Sequence, residues 1–330
     1  AKNIQIYLVS IVIFTSATPL LSAPYKIILP MLCVIGLYVI DSKVSFKSIS
    51  DIFGILLIFF ILVVLGLSVD LLNNDLSLSL KTPVFFLGIL TGFFLACKVD
   101  RETIMECNEK LVIIMLLVGV PAFILFLYFP NVIVSFFSYE YGGYTSKTIG
   151  FLNIHTSDNW ISSRYSGFAS EPGLLSTYIC LALYSRTVKN YGNIDKYSML
   201  MILAIFLSKS TAGIISMLFI LLINLNRKQL LLYLFLLVFF SVYSDIATYQ
   251  LENKLIGSTY FTERFQHYMY LVNMDISTLV LGNGDIKFTE VLIPSQQAGW
   301  GSILQITQRY GLLLLFTLLA LLIYSNIRRP

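Results

Sequence analysis

Residues 111–129 read LVIIMLLVGVPAFILFLYF, an apolar stretch without a single charge. A helix of that length rises about 28 Å, close to the ~30 Å hydrocarbon core of a bilayer. In lipid the backbone must satisfy its own N–H and C=O groups, and a helix does so within one segment. The stretch therefore reads as a membrane span, and similar runs lie on both sides of it. The expected spans are 4–22, 27–40, 52–69, 83–97, 111–129, 172–185, 197–207, 212–225, 229–243 and 303–324. Together they predict an all-α integral membrane protein with about ten transmembrane helices. Several spans fall short of the usual ~20 residues, as expected of helices that break or end in a protein-lined cavity.

Composition points the same way. Hydrophobic residues make up 57% of the chain and charged residues 12%, against about 25% charged in soluble domains. Mean hydropathy is +0.82. In water such a chain would expose large apolar patches, so lipid is the expected solvent. A length of 330 residues suits a single polytopic domain over 1–330 and leaves no room for a separate soluble one. The formal charge of +4 is modest and calls for no nucleic-acid partner. Cys33, Cys97, Cys107 and Cys180 fall in hydrophobic runs or in a short loop read as cytoplasmic. No disulfide is expected, and no pair has zinc-site spacing. The first apolar run reads as a retained helix rather than a cleavable signal peptide.

Charge orients the bundle. Counting alternate connections, one side collects Lys2, Lys43, Lys47, Lys98, Arg101, Lys110, Arg186, Lys189, Lys196, Arg227, Lys228, Arg328 and Arg329. These are 13 of the 22 basic residues, packed into short loops and termini. The positive-inside rule then places both termini in the cytoplasm. Two long polar stretches, 130–170 and 244–302, fall on the other side, and long loops with their own aromatic content are usually functional.

Three segments could carry chemistry. Arg164-Tyr165-Ser166-Gly167-Phe168-Ala169-Ser170-Glu171-Pro172-Gly173 opens the sixth helix. Ser170 suits an N-cap, and Pro172 suits the first turn, where its missing N–H is not needed. A helix start with Arg164 before it attracts anions, and an arginine can grip phosphate with two donors. The competing reading is an interfacial arginine that touches lipid headgroups only. Lys209, in Leu207-Ser208-Lys209-Ser210-Thr211, interrupts two short apolar runs. A hydrated turn facing the same external cavity accommodates it, as does a plain snorkelling turn.

The third segment is Thr259-Tyr260-Phe261-Thr262-Glu263-Arg264-Phe265-Gln266-His267-Tyr268. Phe261, Phe265 and Tyr268 recur as on an amphipathic helix, with Arg264 and His267 on adjoining faces. An interfacial helix with a polar outer face fits the same pattern. His155 and His267 are the two histidines. Either can titrate near neutrality, but without spaced carboxylates they make a poor metal site. There is no phosphate loop ending in Lys-Ser/Thr, no HExxH, no DxD and no ladder of helix charges. Nucleotide hydrolysis, zinc proteolysis, metal-dependent use of nucleotide sugars and voltage sensing lose support.

In this order the motifs resemble the O-antigen polymerase (Wzy-type) and O-antigen ligase superfamily. The resemblance rests on Arg164-x-x-Gly167 with Glu171-Pro172, on Ser208-x-Ser210 with Gly213, and on Arg264 followed by Leu281-Gly282-Asn283-Gly284. Ser302-Ile303-Leu304 and Tyr310-Gly311-Leu312 lead into the last helix in the family's manner. It covers about the second half of the chain.

The resemblance implies a GT-C-like polytopic bundle in the bacterial inner membrane, with two large periplasmic loops. It implies a glycosyltransferase that needs no metal or other cofactor and acts on undecaprenyl-diphosphate-linked sugars in lipopolysaccharide biosynthesis. Arg164 and Arg264 match the family's diphosphate-binding arginines, and Lys209 could join them. Glu171 is the candidate base, with His267 and Glu263 as alternates and Tyr268 a further substrate contact. Glu171 could equally pair with Arg164 or cap its helix. Ligases of the superfamily place a His-Asn pair shortly before the last helix, where this chain has Gly299-Trp300-Gly301; that favours the polymerase. A non-enzymatic flippase or exporter of lipid-linked oligosaccharide is the rival from another class. Partners are then the lipid-linked glycan donor and acceptor and membrane lipid; whether a chain-length regulator binds stays open.

Overall fold

Asp100 starts the helix to which the apolar run 111–129 belongs. Its carboxylate accepts from the Thr103 amide at 2.7 Å and from the Thr103 hydroxyl at 2.7 Å, an N-cap that satisfies donors the helix start leaves unpaired. The helix therefore begins at Arg101, ten residues before the apolar run. The expected start at 111 marked the edge of hydrophobicity, not the edge of the helix. In this computed structural model the described residues are 2–18, 25–40, 60, 63–64, 87–92, 94–95, 99–129, 137–141, 144–149, 152–156, 163–224, 275–282, 307, 311–313 and 315–317.

Helices account for most of them. They are α1 (Lys2–Ala17), α2 (Tyr25–Ile40), α3 (Arg101–Tyr128), α4 (Pro172–Lys189), α5 (Lys196–Ser208), α6 (Thr211–Asn224) and the short α7 (Ile276–Leu281). Among the described residues, α3 alone is both long and apolar enough to cross a membrane. Shorter apolar helices cover Ile4–Ala17, Ile28–Tyr38, Lys196–Ser208 and Thr211–Asn224. The expected span 229–243 lies outside the described residues, as do most of 52–69 and 303–324 and about half of 83–97.

The first long polar stretch corrects the all-α expectation. Between α3 and α4 it folds as an antiparallel sheet of four strands in the order β1-β2-β3-β4: β1 (Phe137–Tyr141), β2 (Tyr144–Ile149), β3 (Leu152–Thr156) and β4 (Arg164–Gly167). Aromatic and β-branched residues alternate with polar ones here, which suits a pleated surface. Two residues separate β1 from β2 (Gly142-Gly143) and two separate β2 from β3 (Gly150-Phe151). The register closes tightly across both, with Tyr141 opposite Tyr144 and Ile149 opposite Leu152. Short Gly-containing connections of this kind are the usual hairpin signal.

Two units divide the chain. The first comprises Ala1–Cys33 and Val99–Ile256. In its core a stripe on α3 (Val112, Leu116, Val120, Phe123) shares one buried cluster with Leu175, Ile179 and Leu183 of α4 and Met201, Ala204 and Ile205 of α5. The spacings are those of one helix face. The sheet joins through Tyr165, whose buried ring lies 5.4 Å from Phe123. It needs Gly119: a Cβ there would stand 2.0 Å from the Tyr165 hydroxyl.

At the far end of α4, buried Glu109 of α3 accepts from Arg186 at 2.7 Å and Lys189 at 2.9 Å. Arg186 also pairs with Asp195, which caps α5 by accepting from the Ser198 amide at 2.9 Å. The second unit comprises Val34–Lys98 and Gly257–Pro330. There Tyr38 of α2 meets Phe94 edge-on. A Cβ on Gly311 would lie 2.0 Å from the Val280 carbonyl, so only glycine allows this approach.

Candidate functional site

Pro172 sets the local geometry of the helix start. It occupies the first turn of α4 and forces the residue before it into extended backbone. Glu171 accordingly sits at φ −137°, ψ 146° and is the N-cap, though its side chain makes no capping bond. The expectation that Ser170 caps is thus corrected by one position. Ser170 instead donates its amide to the Ala17 carbonyl at the end of α1 (3.0 Å), which ties the loop down.

Arg164 opens β4 and reaches the break between α5 and α6. Its Nε donates to the Ser208 carbonyl at 3.3 Å and its Nη2 to the Lys209 carbonyl at 3.4 Å. Lys209 answers across the same gap: its Nζ donates to the Ser163 carbonyl at 2.7 Å. Lys209 is 4% exposed, so the hydrated-turn expectation fails. The reason lies in its backbone, which adopts the left-handed conformation (φ 51°, ψ 32°) as the C-cap of α5. That bend turns the chain straight into α6 and carries the amine inward. A lysine, with a Cβ, takes this conformation at some strain. Burial, and then the Arg164 charge, pull its pKa down to about 8.

Two helix starts meet at this break. Ser176, one turn into α4, donates to the Ser210 hydroxyl at 3.0 Å. Ser210 in turn accepts from the Gly213 amide at 3.2 Å. A Cβ at position 213 would come within 2.5 Å of Ser176 Cβ, so glycine lets α6 pack against α4 at its first turn. The partial positive charges of two helix starts, the Arg164 guanidinium and the Lys209 ammonium are thereby gathered in one region. Such a region attracts an anionic group, and Glu171 stands at its edge as the N-cap.

Two further side chains belong to the site. Asn153 Nδ2 donates to the carbonyls of Ala169 (3.3 Å) and Ser170 (3.1 Å). His155 Nε2 lies 3.0 Å from the Ser170 carbonyl and sits directly opposite Arg164 in the β3–β4 ladder. Burial pushes the imidazole below its ordinary pKa; the Ser170 carbonyl opposes this, Arg164 adds to it and Glu171 opposes it. The alternation in Leu152-Asn153-Ile154-His155-Thr156 is the signal that could have marked these positions.

No protein-family model, curated protein or solved structure matches this chain. Of the residues singled out from sequence, Arg164 and Lys209 come together, and Glu171 heads the helix whose first turn meets their break. Glu263, Arg264, His267 and Tyr268 lie outside the described residues. Among the described residues no group of three or more His, Cys, Asp or Glu side chains is placed to hold a metal ion.

Proposed function

We propose that this chain is a polytopic inner-membrane glycosyltransferase of the O-antigen polymerase type, with about ten spans, cytoplasmic termini and its site on the periplasmic side. The membrane part is supported by how α3 meets its surroundings. A helix at the core of a water-soluble protein is buried on most sides. In α3 only 33% of the most apolar 18-residue window is buried, and Ile114, Leu117, Val118 and Leu125 face outward. Ile215, Phe219 and Leu222 of α6 are exposed too. Lipid is the solvent that accepts such faces.

The chemistry is supported by one observation above all: Arg164 and buried Lys209 share a region with two helix starts, one of them headed by Glu171. In the proposed reaction an acceptor hydroxyl of one lipid-linked repeat unit attacks the anomeric carbon of the donor glycan. A glycosidic C–O bond forms, the bond from that carbon to the diphosphate oxygen breaks, and undecaprenyl diphosphate leaves. Glu171 takes the hydroxyl proton. Negative charge grows on the leaving diphosphate, so fixed cations stabilise the transition state more than the ground state. Arg164 and Lys209 supply two such cations, each also anchored on backbone carbonyls: Arg164 on Ser208 and Lys209, and Lys209 on Ser163. Arg264 is the other arginine that the family resemblance assigns to the diphosphate.

Alanine at Arg164 and, separately, at Arg264 tests this. Each variant should lower polymer formation from lipid-linked repeat units by about a hundredfold or more, the usual scale for losing one charge-stabilising donor. Normal chain length in both well-expressed variants would overturn the reading. Purified protein given lipid-linked repeat units should yield longer chains and free undecaprenyl diphosphate; a flippase yields neither.

A further inference from the structure

We infer that Asn153 and His155 are positioning residues of this site, which lock the peptide before Glu171 so that its carboxylate is held beside the strand that carries Arg164. The inference rests on the glycosyl-transfer reading and adds two residues to it. Asn153 is 0% exposed and His155 2%. Polar groups buried so completely are kept only where they find partners. Both reach one acceptor, the Ser170 carbonyl of the peptide before Glu171, and Asn153 also donates to the Ala169 carbonyl. A carbonyl only accepts, so the imidazole carries its proton on Nε2.

The other side of Ser170 is held as well, by its amide on the Ala17 carbonyl. Pro172 restricts the backbone of Glu171 itself. What remains to Glu171 is its side-chain torsions. The clamp and the cation share a ladder, since His155 pairs with Arg164. A register shift between Asn153 and Ile154 places Asn153 opposite Gly167 while Ile154 pairs with Tyr165. Bulges of this kind re-aim side chains next to sites. The charged groups that bear on His155 are Arg164 and Glu171, which flank it from β4 and from the α4 start.

The test compares His155→Ala with His155→Gln, whose terminal amide keeps a donor near the Nε2 position, and adds Asn153→Ala. Three readouts are needed: polymerisation kinetics on lipid-linked repeat units, melting temperature, and amide hydrogen exchange across residues 168–173. His155→Ala should lower kcat at least tenfold with KM within threefold of the parent, and should raise exchange in that segment. His155→Gln should restore most of both. Asn153→Ala should share the phenotype, which keeps the test open if His155→Ala folds poorly. Parental kcat and exchange in His155→Ala, or a His155→Gln variant that melts normally yet is equally impaired, would overturn the inference. Arg164→Ala and Arg264→Ala run alongside: full activity in both sinks the polymerase reading, whereas an inactive Arg164→Ala beside an active His155→Ala sinks the clamp alone.

Discussion

Tyr165 and Gly119 illustrate how much of this structure turns on single side chains. The tyrosine ring is fully buried, and its hydroxyl has no hydrogen-bonding partner among the described residues. The hydroxyl stands where a Cβ on Gly119 would be. Overfilling so tight a contact typically costs about 1–3 kcal/mol, and Gly119→Ala is expected to fall in that range. Tyr165→Phe should be neutral or stabilising, because it removes a buried polar group that lacks a partner. The double variant should lose less than Gly119→Ala alone, since the clashing oxygen is gone. It should not recover fully, because Leu152 would still be 2.9 Å from the new Cβ. Thermal unfolding of the four proteins in detergent measures this coupling; strictly additive effects would show that the two residues do not compete for space.

At the scale of elements, α4 is pinned at both ends by different means. Its start is held by Pro172, by the Asn153 and His155 clamp and by the small-residue contact with α6. Its end is held by ions: Arg186 bridges Glu109 of α3 and Asp195 at the start of α5. The Arg186 guanidinium, with help from the Ser198 amide and hydroxyl, holds the Asp195 carboxyl far below the ordinary carboxylate range. A carboxylate whose folded pKa is depressed stabilises the fold above its unfolded value, about 3.9, and loses that contribution as pH falls below it. The melting-temperature advantage of the parent over Asp195→Asn should therefore be complete above about pH 4 and shrink on acidification. Parallel melting curves for the two proteins from pH 7 to pH 3 would contradict it.

Across the molecule, the proposed topology makes a claim that labelling can check. The 18 residues of α4 rise about 27 Å between the site and the turn that follows Lys189. Tyr191 in that turn is 94% exposed, and Lys147 lies on β2, joined to the α4 start through β3 and β4. In a background with the native cysteines replaced, Tyr191→Cys should react with an impermeant thiol reagent only from the cytoplasmic side. Lys147→Cys should react only from the periplasmic side. Reaction of both from one side would end the ten-span reading and, with it, the proposed place of the site.

Features that depend on local period and local chemistry could be read directly from the order of residues. Among the described residues the apolar runs announced helices, because a helix satisfies its backbone within one segment. Pro172 announced where α4 begins, because a proline acts on its immediate neighbours. Arg164, Glu171 and Lys209 were legible for the same reason: the first two stand at the start of a helix and the third breaks two short apolar runs. The hairpins were missed because the polarity of the stretch made it read as loop, although Gly142-Gly143 and the alternation beyond it carry the signal. What these residues do to one another was settled by packing. Lys209 faces inward because its own left-handed bend aims it at the Ser163 carbonyl, 46 positions away in sequence. His155 joins Arg164 through a strand register, and Asn153 reaches Ser170 across 17 positions of sequence. Contacts of that range arise from packing, which fixes partners that no local pattern names.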